Sequence, residues 1–264
     1  MKSYQKINQI FNKVNNGLTV GIDPDISKLP NNISKDVDGI YQFSKSIIEN
    51  TKDITAAYKI NFAFFENFGS KGFQAIENLM QIIPESVFTI ADAKRSDIGN
   101  SARFYAKSVF EHFGFDAITV NPLMGRDSID PFVEFDDKFV FLLGLTSNSG
   151  ADDFLKKELT NQNTLFQEII SKTSQWYSIE NIGYVVGATQ SNLFADIRQI
   201  IPNHLLLVPG IGAQGGDLYE LKRNGLFPAL INVSRDIIFT SIEDDYAQKI
   251  RAKAIQYANS LQII

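Results

Sequence analysis

VFTIADAKRSDIGNSARFYAKSVFEHFG, residues 87–114, changes its hydrophobic period part-way along. Val87-Phe88-Thr89-Ile90 is a compact β-branched and aromatic run, as expected of a strand buried on both faces. Beyond it Ala102, Tyr105, Ala106, Val109, Phe110 and Phe113 recur at helical spacing, and the apolar face they form ends at Gly114. The stretch therefore predicts a strand, a loop and a helix packed back on the strand. The loop is densely charged: ADAKRSDIGN, residues 91–100, holds Asp92, Lys94, Arg95 and Asp97 where a buried strand would end. Regular strand alternation sends Asp92 and Lys94 to one side and Ala93 to the other.

The same unit recurs in both directions. Apolar runs stand at 18–23, 56–65, 87–94, 117–122, 139–146, 182–189, 204–212 and 227–235, and helical spacing marks 35–50, 70–83, 160–178 and 240–261. Strands alternating with helices predict an α/β protein with a parallel sheet, and eight such units predict a closed (β/α)8 TIM barrel. No Gly/Ser/Pro tract, low-complexity segment or repeat divides the chain, so residues 1–264 are expected to form a single barrel domain with an extra N-terminal helix.

Composition narrows the chemistry. The 264 residues are 44% hydrophobic and include 21 Phe, enough for a full core. The absence of cysteine removes disulfides, thiolate metal sites and cysteine nucleophiles, and two histidines, His112 and His204, are too few for a multi-histidine metal centre. A net charge of −5 opposes nucleic-acid binding, which needs a basic face. MKSYQKINQIFNKVNN lacks the apolar core of a signal peptide, and no apolar stretch is long enough for a membrane span. The expectation is a cytoplasmic protein that engages neither nucleic acid nor membrane.

In barrels of this type the chemistry sits at the carboxyl ends of the strands. Polar residues collect there: Asp23, then Lys59 within the second run, Asp92, Lys94 and Asp97, Asn121, Thr146 and Ser147, and Arg235. Consecutive strands usually pair, which puts Lys59 within reach of Asp92. Alternating lysines and aspartates would hold their charges by mutual attraction against the desolvation cost of burial. A rim salt-bridge network would use the same residues, but the strand-end position argues against it. Asp97 is also placed to cap the following helix, and both roles are open to it.

GIGAQG, residues 210–215, matches a dinucleotide-binding pattern, yet it follows the seventh strand and lacks the acidic partner such a fold needs. Glycine-rich backbone after strand seven together with Arg235 after strand eight fits a barrel phosphate site better. Asp152 and Asp153 in GADDFLKKEL read as a solvated first helical turn rather than a metal site.

These residues resemble the orotidine 5′-phosphate decarboxylase family. The D-x-K-x-x-D-I pattern at Asp92-Ala93-Lys94-Arg95-Ser96-Asp97-Ile98 is that family's hallmark. GIDPD, KINFAFFE, TVNPLMGRDSIDPF, LTSNSGADD, VPGIGAQGGD and VSRDI are similar to its longer-chain bacterial branch in the same order, across residues 18–238. The resemblance implies a decarboxylase that converts orotidine 5′-phosphate to UMP and CO2 in pyrimidine biosynthesis, with no metal or organic cofactor. It implies that Asp23 binds a ribose hydroxyl, that Lys59 and Asp92 belong to the charged array, and that Lys94 donates the proton. Asp97 is implied to reach across a homodimer interface, Ser101 to contact substrate, Thr146 or Ser147 to read the pyrimidine amide, and Arg235 to take the phosphate. Shorter-chain members carry a basic residue where this chain has Gly212; Gly212, Gln214 and Gly215 are the phosphate-loop candidates here, and the segment after Gly212 a candidate lid.

Two other readings compete. A magnesium-dependent sugar-phosphate barrel of the 3-keto-gulonate-phosphate decarboxylase or hexulose-phosphate synthase type shares D-x-K-x-x-D. A noncatalytic phosphate-binding barrel would leave the lysine–aspartate array without a purpose.

Overall fold

The computed structural model describes residues 1–212 and 216–263. Eight parallel strands close into a barrel in sequence order: β1 (Leu18–Ile22), β2 (Ala57–Asn61), β3 (Phe88–Arg95), β4 (Ala117–Val120), β5 (Phe139–Leu145), β6 (Ile182–Val186), β7 (Leu206–Pro209) and β8 (Ala229–Val233). Pairing of Val20 with Val233 joins β8 back to β1. Each apolar run contains one strand, but most strands stop short of the run. In AAYKINFAFF, β2 ends at Asn61, whose Oδ1 accepts the Ala63 N–H at 3.3 Å and starts a helical turn, Ala63–Glu66. Phe62 and Phe65 are then buried from that turn, not from the strand.

The outer layer contains α2 (Val37–Thr51), α3 (Ser70–Ile82), α4 (Gly99–Lys107), α5 (Leu165–Trp176), α6 (Phe194–Ile200), α7 (Leu218–Arg223) and α8 (Tyr246–Ser260). The expected helices are present, with α4 passing at Ser108–His112 into a wider π-type turn. The short α6 and α7 span too few residues to show a helical period. Asp152 and Asp153 are exposed as expected, although Asp152 ends an isolated 3₁₀ turn, Ser149–Asp152, with Asp153 just beyond it, and α5 begins only at Leu165.

Strand alternation divides the core. Leu18, Val20 and Ile22 face the helices, while Phe88, Ile90, Phe139, Phe141, Leu207 and Leu230 fill the barrel interior. The N-terminal helix α1 (Ser3–Val14) packs Ile7 and Ile10 into that inner cluster, and Lys6 Nζ holds Asp116 Oδ2 at 2.6 Å just before β4. With α1 packed at the amino ends of the strands, the interior opens toward their carboxyl ends.

Two register shifts interrupt the barrel, both at that open end. Opposite β6, Leu143 pairs with Val185 but Leu145 with Val186, so Gly144 is an extra residue just before Thr146. Opposite β4, Ala91 pairs with Ile118 and Arg95 with Val120, so Asp92, Ala93 and Lys94 together face Thr119. Bulges of this kind re-aim side chains near functional sites. Asp92 and Lys94 do share a side, as alternation predicts, but Lys94 reaches it through a left-handed backbone with φ +48°.

Candidate active site

A cavity of about 280 Å³ opens at the carboxyl ends of the strands. Asp92 sits at its centre between two ammonium groups. Lys59 Nζ donates to Asp92 Oδ2 at 2.7 Å, and Lys94 Nζ to Asp92 Oδ1 at 2.7 Å. Asp23 Oδ1 stands 3.6 Å from Lys59 Nζ on the opposite side, completing the chain Asp23, Lys59, Asp92, Lys94 across β1, β2 and β3. Lys59 and Asp92 are buried, whereas the Lys94 side chain is 52% exposed and faces the opening.

The array keeps its charges despite burial. Desolvation alone would raise the Asp92 carboxyl, but Lys59 and Lys94 outweigh it and hold the group well below the usual carboxylate range. Burial likewise pulls Lys59 down, and Asp23 and Asp92 together reverse that, leaving it raised. All four groups gather around an opening walled on the far side by Leu143, Val185, Leu207 and Pro209.

Thr146, Ser147 and Arg235 line the same cavity. Arg235 makes no ion pair among the described residues. The neighbouring acid does not compete for it, because Asp236 Oδ2 is held by Tyr257 OH at 2.5 Å and Lys253 Nζ at 3.1 Å. The same tyrosine explains Gly212, whose φ is +79°: a Cβ there would lie 2.8 Å from Tyr257 Oη and 3.1 Å from Asp236 Cβ.

Two candidates lie away from the cavity of their own chain. Asp97 turns back on the backbone, its Oδ1 accepting the Ile98 N–H at 2.8 Å, and Ser101 is exposed in the first turn of α4. Asn121 also stays outside, capping the turn after β4 through the Leu123 N–H at 3.1 Å. Gln214 and Gly215 fall outside the described residues, as does most of the segment proposed as a lid. Neither histidine lines the cavity: His112 pairs with Glu77 on the surface at 2.7 Å, and His204 is buried before β7, its imidazole pushed down to about 4 by burial and by Arg198.

The cavity also contains residues not singled out from the sequence: Asn61, Thr119, Asn148, Asn232 and Ser234. Three of these were available from period-two alternation, since Thr119 follows Ala117 inward on β4, and Asn232 and Ser234 follow Leu230 on β8. Apolar neighbours in AITV and ALINVS hide them. Gly21 makes room for the β8 pair, because a Cβ there would come within 2.7 Å of Ser234 Cβ and 2.9 Å of Asn232 Oδ1.

Fold and site together define a (β/α)8-barrel enzyme whose cavity holds a lysine–aspartate array and an arginine with no ion pair among the described residues. The chain belongs to the orotidine 5′-phosphate decarboxylase / HUMPS family, whose model matches residues 18–247. It is 45% identical to the orotidine 5′-phosphate decarboxylase of Flavobacterium johnsoniae over 262 residues, covering 97% of this chain and 95% of the relative. Identity to the Bacteroides fragilis orotidine 5′-phosphate decarboxylase is 46% over 243 residues, 90% of this chain and 89% of that one. The solved structure of the Leishmania donovani OMP decarboxylase superposes with a TM-score of 0.84 at 32% identity, covering 98% of this chain and 100% of that chain.

Proposed function

We propose that this cavity decarboxylates orotidine 5′-phosphate to UMP and CO2, with Lys94 as the group that replaces the lost carboxylate by a proton. The observation that carries this reading is the single buried carboxylate of Asp92 held between two ammonium groups at 2.7 Å each. When the C6–carboxylate bond breaks, CO2 leaves and its electron pair stays on C6, in an orbital that the ring π-system cannot delocalise. A fixed cation beside that carbon stabilises the developing charge. Lys94 Nζ then gives its proton to C6 and regains one from solvent. Asp92, beside the departing carboxylate, disfavours the bound ground state by like-charge repulsion.

The remaining roles follow the cavity wall. Asp23 binds a ribose hydroxyl, Thr146 or Ser147 reads the pyrimidine amide, and Arg235 takes the phosphate. Both oxygens of Asp92, the carboxylate at the centre of the array, are already engaged by ammonium groups. That donor set favours metal-independent decarboxylation over the magnesium-dependent sugar-phosphate reaction. Residues 1–264 act as one barrel domain, and we place the reaction in the cytoplasm; no described helix is long and apolar enough to cross a membrane.

The working unit is a homodimer in which Asp97 and Ser101 serve the neighbouring subunit's cavity. Two observations support this: Asp97 lies outside its own cavity, and exposed apolar side chains stand in and beside its segment. Ile98 is 52% exposed, Phe104 66%, Leu123 58% and Met124 50%. Such a patch is the usual mark of an interaction surface.

Arg235→Ala tests the substrate assignment. Charge-assisted hydrogen bonds are worth roughly 1.5–3 kcal/mol, so affinity for orotidine 5′-phosphate should fall by more than about tenfold. Orotidine without its phosphate should be turned over as by wild type. Equal losses for the two substrates would place Arg235 outside the phosphate site.

A further inference from the structure

The bulge that presents Lys94 sets three residues of β3 against one residue of β4. Thr119 is that one residue, buried at 1% exposure. Its Oγ1 accepts the Lys94 backbone N–H at 3.0 Å and donates to Asp92 Oδ1 at 3.1 Å. The same Asp92 oxygen receives Lys94 Nζ at 2.7 Å. Lys94 is thus tied at both ends, its backbone to Thr119 and its ammonium to a carboxylate that Thr119 also holds. The hydroxyl thus holds the backbone N–H of a residue at φ +48°.

We infer that Thr119 is a positioning residue for the decarboxylation: its hydroxyl clamps the β3 bulge so that the Lys94 ammonium and the Asp92 carboxylate keep their registry at the reacting carbon. The threonine touches neither the phosphate-binding arginine nor the ribose-binding aspartate, so its loss should be felt in turnover rather than in binding. A non-β-branched hydroxyl residue would keep the clamp, whereas an isosteric apolar one would not. The role presupposes that Lys94 is the proton donor proposed above, and the test keeps the two apart.

Steady-state decarboxylation of orotidine 5′-phosphate is measured for wild type, Thr119→Val and Thr119→Ser, with thermal melting of each. A misplacement near 1 Å can lower a rate by about a hundredfold, so Thr119→Val should lose roughly ten- to a hundredfold in kcat while KM stays within about threefold. Thr119→Ser should stay within about threefold of wild type on both counts. If Thr119→Val does not fold, Thr119→Ala removes the same hydroxyl without pressing a methyl on the Lys94 N–H, and should show the same split. Wild-type kcat in a folded variant lacking the hydroxyl would overturn the inference alone, as would a Thr119→Ser loss equal to that of Thr119→Val. Failure of wild type to turn over would overturn the reading of Lys94 and this role with it.

Discussion

Lys94→Ala should leave a folded protein that no longer turns over. The variant removes the countercharge for the C6 carbanion and the proton that quenches it, and each contribution is typically worth about a hundredfold or more, so the combined loss should exceed roughly ten-thousandfold. The fold should survive because the Lys94 side chain is 52% exposed and Asp92 keeps the buried Lys59 ammonium at 2.7 Å. Single-turnover decarboxylation with circular dichroism on the same sample reads both. Activity within tenfold of wild type would remove Lys94 from the chemistry.

Mixing Lys94→Ala with Asp97→Ala subunits should restore activity that neither homodimer has. In the heterodimer one cavity collects both defects, while the other combines its own intact Lys94 with an intact Asp97 from its neighbour. Random exchange at equal amounts gives about half heterodimers with one working site each, so recovery should approach about a quarter of wild-type activity per site. The structure motivates this arrangement by leaving Asp97 on the outside of its own cavity, where among the described residues its carboxylate accepts the Ile98 N–H. Absence of recovery, with heterodimers demonstrated, would put Asp97 to work in its own subunit.

The barrel was legible because burial on both faces leaves a strand continuously apolar, and eight such runs separated by helical spacing have few other solutions. What the runs did not disclose is where each strand ends. The apolar stretch 56–65 serves β2 and then a helical turn, and both bury phenylalanines, so hydrophobicity alone draws no boundary between them. The charged array was legible for a related reason: Asp92 and Lys94 stand out against the apolar residues before them. Thr119, Asn232 and Ser234 did not, since a small polar side chain inside a barrel strand leaves the run looking apolar. The left-handed turn at Lys94 was hidden as well, because it arises from unequal numbers of residues on β3 and β4, a property of the pair and not of either strand. Asp97 and Ser101 carry the opposite lesson. A motif marks Asp97 and the resemblance marks Ser101, but their surroundings in one chain put neither in its cavity.

The same electrostatics that stabilise the site are those the proposed chemistry uses. Asp92 remains ionised because two ammonium groups outweigh its desolvation, and one of those groups, Lys94, is the one exposed to an incoming substrate. We expect this arrangement, completed by the neighbouring subunit's Asp97, to break the C6–carboxylate bond without a metal ion. That expectation is tested most directly by incubating the purified full chain with orotidine 5′-phosphate in buffer containing excess EDTA and following the pyrimidine absorbance together with the CO2 released. Stoichiometric conversion to UMP and CO2 at a rate unchanged by the chelator is expected. No conversion, or conversion that appears only when magnesium is restored, would contradict it.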